Sequence, residues 1–203
     1  LLPGLTVTIP LTAISFLFGL IIALFTALVQ IAHVRVLDQL ARFYVWVIRG
    51  TPLLVQLFVI FYGLPSLGVT LDAFPSAIIV FSINTGAYAA ETMRAAILSV
   101  PKGQMEAGYC AGMTYPRIMT RIILPQAART AFPPLSNSLI GLLKDTSLAS
   151  NITIMEMFMS AQRIAARTYD SFALYCEVAL IYLLFCTILT KVQRICEKKL
   201  ELN

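Results

Sequence analysis

Three charged side chains stand where this chain has least room for them. Glu91 falls inside the apolar run 76–98, and Lys144 and Asp145 fall inside the run 133–150. A charge at mid-bilayer costs about 2.5 to 3.5 kcal/mol on insertion scales, so each must face protein or a watered path. Two readings follow. The charges neutralise one another, Glu91 with Arg94 at i+3, and hold packing; or they line a polar passage. Asn137, Gly141, Lys144 or Asp145, and Leu148 recur at i, i+4, i+7 or i+8, and i+11, which is one narrow helical face. Asn84 and Thr85 precede Glu91 by about two turns. None of this makes or breaks bonds. No catalytic triad, paired-carboxylate motif or metal-ligand spacing stands out, so neither catalytic nor metal residues are expected. No G-x-x-x-x-G-K-[ST] loop is present to cradle nucleotide phosphates. His33, the only histidine, sits beside Arg35 and reads as a surface residue.

The elements that must position these charges are membrane helices. With 59% hydrophobic and only 12% charged residues, the chain lies far from a soluble domain, where about 25% charged is usual. A spanning helix needs about 20 mainly apolar residues. The runs predict about five spans: 5–32, a short one at 51–64 extended backwards by an amphipathic stretch from Val36, 76–98, 133–150 beginning at Pro133 and Pro134, and 172–190. Ser15 and Gly19 supply the small-x-x-x-small spacing of close helix packing. Tyr44 and Trp46 read as interfacial anchors. The expected architecture is an all-α integral membrane bundle, a single domain over 1–203. Cys110, Cys176, Cys186 and Cys196 show no C-x-x-C spacing and are expected as buried, reduced thiols.

Lys and Arg cluster in 33–49, 99–129 and the tail, whereas the opposite loops hold only Arg163 and Arg167. The positive-inside rule then puts the amino end outside and the tail in the cytoplasm. The same dispersal argues against nucleic acid as a partner, since a phosphate backbone needs a clustered basic stripe. No basic n-region precedes the first run, which is too long for a signal peptide. The chain opens at Leu1 without methionine, so further residues are expected before it.

The cytoplasmic loop reads PKGQMEAGYCAGMTYPRIMTRIILP from Pro101 to Pro125. A helix over 102–111, a left-handed stop at Gly112 and a second helix capped by Thr114 near Pro116 make a rigid knuckle. Ala107, Gly108 and Ala111 leave the first helix thin on one side. Either another protein approaches there, with Glu106 offering a carboxylate, or the small residues pack on neighbouring helices of the same chain.

Glu106, Ala107, Gly108, Gly112, Ile122, Leu124 and Pro125 resemble the E-A-A-x-x-x-G-x(9)-I-x-L-P signature of ABC importer permeases, with glycine for the second alanine. The resemblance extends over nearly the whole chain. Arg49-Gly50-Thr51-Pro52-Leu53, Asn84 to Glu91 and Leu143 to Leu148 are similar to segments of the polar amino acid branch, closest to cystine and glutamine permeases. It implies a type I importer permease fold whose loop 99–129 holds the coupling helix, with Glu106, Ala107, Gly108, Gly112 and Pro125 docking on the ATPase. It further implies a pair of permeases, identical or not, with two ATP-binding subunits that hold ATP and Mg. An extracytoplasmic binding protein would deliver a polar amino acid: cystine, glutamine or a basic one. The bacterial inner membrane is the expected location.

A zwitterionic cargo needs both donors and acceptors, which Asn84, Thr85, Glu91, Asn137, Lys144 and Asp145 would supply along the path. Outside, Glu156, Ser160, Arg163 and Arg167 share a helical face. That face is either a solvated amphipathic surface or a contact for the binding protein. Two competitors stand beside the importer reading: an ion-gradient-driven secondary transporter using Glu91 and Asp145 as a proton relay, and an intramembrane scaffold.

Overall fold

The computed structural model describes residues 2–32 and 34–201. His33 lies outside the described residues. All regular elements among them are helical. A π turn at Gly4–Thr8 leads straight into α1, Ile9–Ala32. After it come α2, Arg35–Arg49, and α3, Leu53–Phe58, which is prolonged by a π turn to Gly63 and a tighter turn to Leu67. Next are α4, Ala73–Ser99; α5, Lys102–Cys110; α6, Tyr115–Ile118; and α7, Leu124–Asp145. A 3-10 turn over Thr146–Ile152 precedes α8, Met157–Thr168, and α9, Ser171–Glu201.

The bundle is organised on α1 and α4. Gly19 faces Thr85, Gly86 faces Ile22, and Ala23 packs with Ala89 and Ala90. Both sets of numbers rise together, so α1 and α4 run parallel, and the chain between them must return across the same thickness. The α2–α3 pair makes that return with a 104° bend. The amphipathic stretch before segment two is thus a helix of its own, broken from α3 at Gly50-Thr51-Pro52. Ala96 of α4 meets Ala127 and Ala131 of α7 at one end, while Phe81 and Leu142 share a core at the other. Hence α7 runs antiparallel to α4, and α9, whose Gln193 reaches Asn137, runs back along α7. Five passes result. Three of them, Gly4–Ala32, Ala73–Ser99 and Ser171–Leu200, are long and apolar enough on their own, and the bent pair passes that test only jointly.

Two boundaries differ from expectation. Segment four begins at Leu124 rather than at Pro133, and Pro133 and Pro134 lie inside α7. The proline nearest the start is Pro125, which directly follows the π turn Met119–Ile123 and so withholds an N–H from the preceding helical turn. The interior prolines deprive the carbonyls of Arg129 and Thr130 of their helical donors, and both residues are exposed. Segment five continues as helix through the charged tail. All four cysteines are free, but Cys110 and Cys176 are exposed, contrary to the expectation of burial.

Close approach at the spine is testable. A Cβ on Gly86 would stand 2.7 Å from Ile22 Cγ2 and 2.9 Å from Tyr44 Oη. A Cβ on Gly141 would meet nothing within 4 Å. We expect Gly86→Ala to lower the unfolding midpoint in detergent, on the scale of about 1–3 kcal/mol for overpacking. Gly141→Ala should leave it unchanged or raise it slightly.

Candidate functional site

The knuckle between α4 and α7 is closed by its own backbone. Gly112 sits at φ 72°, the left-handed region that glycine enters freely. Its N–H donates to Tyr109 O at 2.9 Å, and Met113 N–H donates to Gly108 O at 3.0 Å, the bond pair of a Schellman stop. Thr114 occupies the position before α6 in extended conformation, but its hydroxyl makes no capping bond. The thin side of α5 is used inside the chain. Gly108 is buried, and a Cβ there would lie 2.7 Å from Ile118 Cγ1 and 2.9 Å from Cδ1. Glu106 and Ala107 are exposed on the remaining surface. Of the expected contact set, Gly108 therefore shapes the knuckle, while Glu106 and Ala107 stay free to meet a partner.

A polar seam runs between α2, α3 and α4. Asn84, Tyr88 and Glu91 fall at i, i+4 and i+7 on one face of α4. Asn84 Nδ2 donates to Gln56 Oε1 at 3.1 Å. Gln56 Nε2 in turn donates to Ile48 O at 2.8 Å and Thr51 O at 3.1 Å, tying the α2–α3 bend to α4. The Arg49 guanidinium lies 5.2 Å from the centre of the Tyr88 ring. Glu91 and Arg94 neutralise each other through bonds of 2.9 and 3.3 Å, and Asp38 pairs with Arg42 at 2.9 Å. Thr85 turns away from this seam and is buried against α1 at Gly19.

The residues expected beside Glu91 on the path sit elsewhere. Asn137 Oδ1 accepts from Gln193 Nε2 at 3.3 Å, and Asn137, Lys144 and Asp145 are all exposed. Lys144 lines a cavity of about 590 Å³ between α7, α8 and α9, with Ser147, Phe158, Tyr175 and Tyr182. On this largely apolar wall Ser147 Oγ already donates to Lys144 O at 2.7 Å and Tyr182 OH to Glu156 at 3.1 Å. The hydroxyls and Gln56 were missed in the sequence because each sits alone in an apolar run.

Glu156 is no docking residue. It is fully buried, and its carboxylate accepts from Phe158 N–H and Met159 N–H at 2.6 Å each and from Tyr182 OH at 3.1 Å. Burial raises its pKa above the ordinary carboxylate range against the opposing pull of those donors. It caps α8 and fastens it to α9, while Thr8 Oγ1 accepts from Met157 N–H at 3.4 Å. Arg163 and Arg167 remain exposed on α8.

The knuckle separates two glycines that look alike in the sequence. Gly108→Val should collapse the Ile118 contact and prevent assembly with an ATP-binding partner, as read by co-purification. Gly112→Asn should retain the complex, because asparagine tolerates the left-handed region and a Cβ there meets nothing within 4 Å.

The family model described as "Binding-protein-dependent transport system inner membrane component" matches residues 4–202. The L-cystine transport system permease protein TcyB of Bacillus subtilis (strain 168) is 56% identical over 199 residues, covering 98% of this chain and 85% of that protein. The probable amino-acid ABC transporter permease protein YckA of the same organism is 41% identical, covering 97% and 87%. A solved amino acid ABC transporter with histidines superposes with a TM-score of 0.90 at 35% identity, covering 95% of this chain and 90% of that one. These matches overturn the secondary-transporter alternative, which has no place for a binding-protein-dependent system. The knuckle, the apolar helices and the matches over nearly the whole length agree, and the chain belongs to the family of binding-protein-dependent transport system inner membrane components.

Proposed function

We propose that this permease carries a polar amino acid inward, with cystine the first cargo to test, through the cavity at Lys144. As the membrane subunit of an ABC importer it hydrolyses nothing itself. ATP hydrolysis belongs to a separate ATP-binding subunit, which in this reading holds ATP and Mg. The observation that carries the cargo reading is the convergence of Lys144, Ser147, Tyr175 and Tyr182 on one cavity. Lys144 offers a cation to the α-carboxylate, and the oxygens of Ser147 and Tyr182, whose protons are given to Lys144 O and Glu156, can accept from the rest of a polar solute. The relative named for cystine supports that first choice at 56% identity.

In this reading cargo passes from the Lys144 cavity towards the seam of Asn84, Tyr88 and Glu91, with Asn137 and Asp145 at the edge of α7. Of the expected path, Asn84 and Glu91 on α4 and Asn137, Lys144 and Asp145 on α7 are retained; Thr85, also on α4, serves packing instead. Exposed apolar residues of α9, such as Leu180, Leu184 and Ile188, suit lipid and a second permease subunit. The amino end lies outside and the carboxyl end in the cytoplasm, which puts Glu106 and Ala107 before the ATP-binding subunits. It also leaves Arg163 and Arg167 facing an extracytoplasmic binding protein.

The chain purified with its ATP-binding subunit and binding protein should show hydrolysis stimulated by cystine more than by other amino acids. Stimulation by none would overturn the importer reading of this cavity. Lys144→Ala should cut uptake about tenfold or more, the scale of a lost bond to a charged group. Uptake at the wild-type rate in that variant would remove the cavity from the path. Charge reversal at Arg163 and Arg167 should weaken stimulation by the binding protein and steepen its loss with added salt, since rim charges act on encounter. Unaltered stimulation would refute that contact.

A further inference from the structure

Between the knuckle and the membrane, the chain from Tyr115 to Asp145 is one nearly unbroken helix with a single irregular joint. Met119–Ile123 widens to a π turn, in which Leu124 N–H donates to Met119 O. Pro125 follows at the start of α7 and has no N–H to return to the preceding turn. A π turn and a proline within one stretch are the recognised causes of a bend in a long helix. The side chain of Gln126 crosses this joint. Its Nε2 donates to Ile122 O at 2.9 Å, adding a donor beside the one that proline lacks.

The joint lies on the only covalent route from α5 and α6 into α7. Its inner side is gripped by apolar contacts: Ile118, Met119 and Ile123 are buried, with the partly buried Ile97 and Val100 from the end of α4 and Met105 from α5 packed against them. Its outer side begins α7, which packs Ala127 and Ala131 on Ala96. A displacement of α5 therefore reaches α7 through a clamped segment, and the angle at 119–126 decides how much arrives.

We propose that Gln126 is a positioning residue of this joint: its amide holds the angle between the knuckle and α7, so that movement of α5 is passed to the membrane helix rather than absorbed in the π turn. This rests on the importer reading above. A merely structural bond would lower assembly or overall activity. A positioning bond instead changes the amount of cargo moved per ATP hydrolysed.

The test uses the full complex in proteoliposomes, with ATP hydrolysis and cargo uptake measured together. Gln126→Leu removes the donor, Gln126→Glu replaces it with an acceptor at the same place, and Gln126→Lys keeps a donor on a long side chain. Loss of one hydrogen bond should lower cargo per ATP about fivefold in the first two variants. Gln126→Lys should restore most of the wild-type ratio. Distances between spin labels at positions 117 and 130 in a cysteine-free background should broaden for Gln126→Leu and stay narrow for Gln126→Lys. An unchanged ratio in Gln126→Leu and Gln126→Glu would overturn the inference, as would uptake and hydrolysis falling together at constant ratio. Failure of the importer reading looks different: the wild-type complex itself would then show no cargo-stimulated hydrolysis.

Discussion

Helices in lipid gain nothing from hiding apolar surface from one another, because the surrounding tails are as apolar as leucine. Association rests instead on how closely backbones approach. Here that approach is concentrated where α1 crosses α4. Gly19 leaves space for Thr85, Gly86 leaves space for Ile22, and Ala23 meets Ala89 and Ala90. Other elements take their places from this pair. Tyr44 hangs α2 on α4 by donating to Ile83 O at 2.6 Å, and α7 lies on α4 through alanines. Without the two glycines the spine would spread by a side-chain width, and the seam beside Asn84 would lose its geometry.

Close packing of small residues leaves few polar groups to manage, and those present are handled locally. Several buried hydroxyls fold back onto the preceding turn, as Thr12 does to Thr8 O at 2.7 Å and Thr146 to Leu143 O at 2.6 Å, whereas Ser15 Oγ and Ser82 Oγ have no hydrogen-bond partner among the described residues. Gln56, like Tyr44 and Tyr182, builds tertiary structure instead. It serves Ile48, Thr51 and Asn84 together, where the α2–α3 bend at Gly50-Thr51-Pro52 leaves carbonyls without helical donors. One amide therefore turns a sharp bend into a fixed one. The charged groups of the seam follow the same economy, with Glu91 on Arg94 and Asp38 on Arg42.

Much of this was legible because a membrane span announces itself by length. The runs at 5–32 and 76–98 correspond closely to α1 and α4, and the loop at 99–129 does hold a short helix stopped at Gly112, while its second helix runs on through a π turn into α7. The start of α7 was misread for a physical reason. Three prolines compete for the first-turn position, and only the exposure of Arg129 and Thr130 shows that Pro133 and Pro134 are tolerated further in. Spacing correctly put Asn137 and Lys144 on one side of α7. It had no means of showing that α9, distant in sequence, would cover that side with Gln193 and the tyrosines rather than leave it opposite Glu91.

The acidic residues show where such reading stops. Glu106, Glu91 and Glu156 are one residue type with three fates, and local sequence distinguishes only the second, through Arg94 three positions on. Glu106 stays in water because Gly108, on another side of α5, is the residue that meets Ile118. Glu156 fits the helical spacing of Ser160, Arg163 and Arg167, but that periodicity is extrapolated one residue beyond the start of α8. At that position the backbone is extended, so the side chain folds over the open N–H groups of Phe158 and Met159 instead of pointing outward with the arginines. Tyr182, donated from a helix that begins fifteen residues later, then makes burial tolerable for the carboxylate. The position of a helix end, settled by tertiary contacts, thus decides whether a carboxylate faces a partner or fastens the protein to itself.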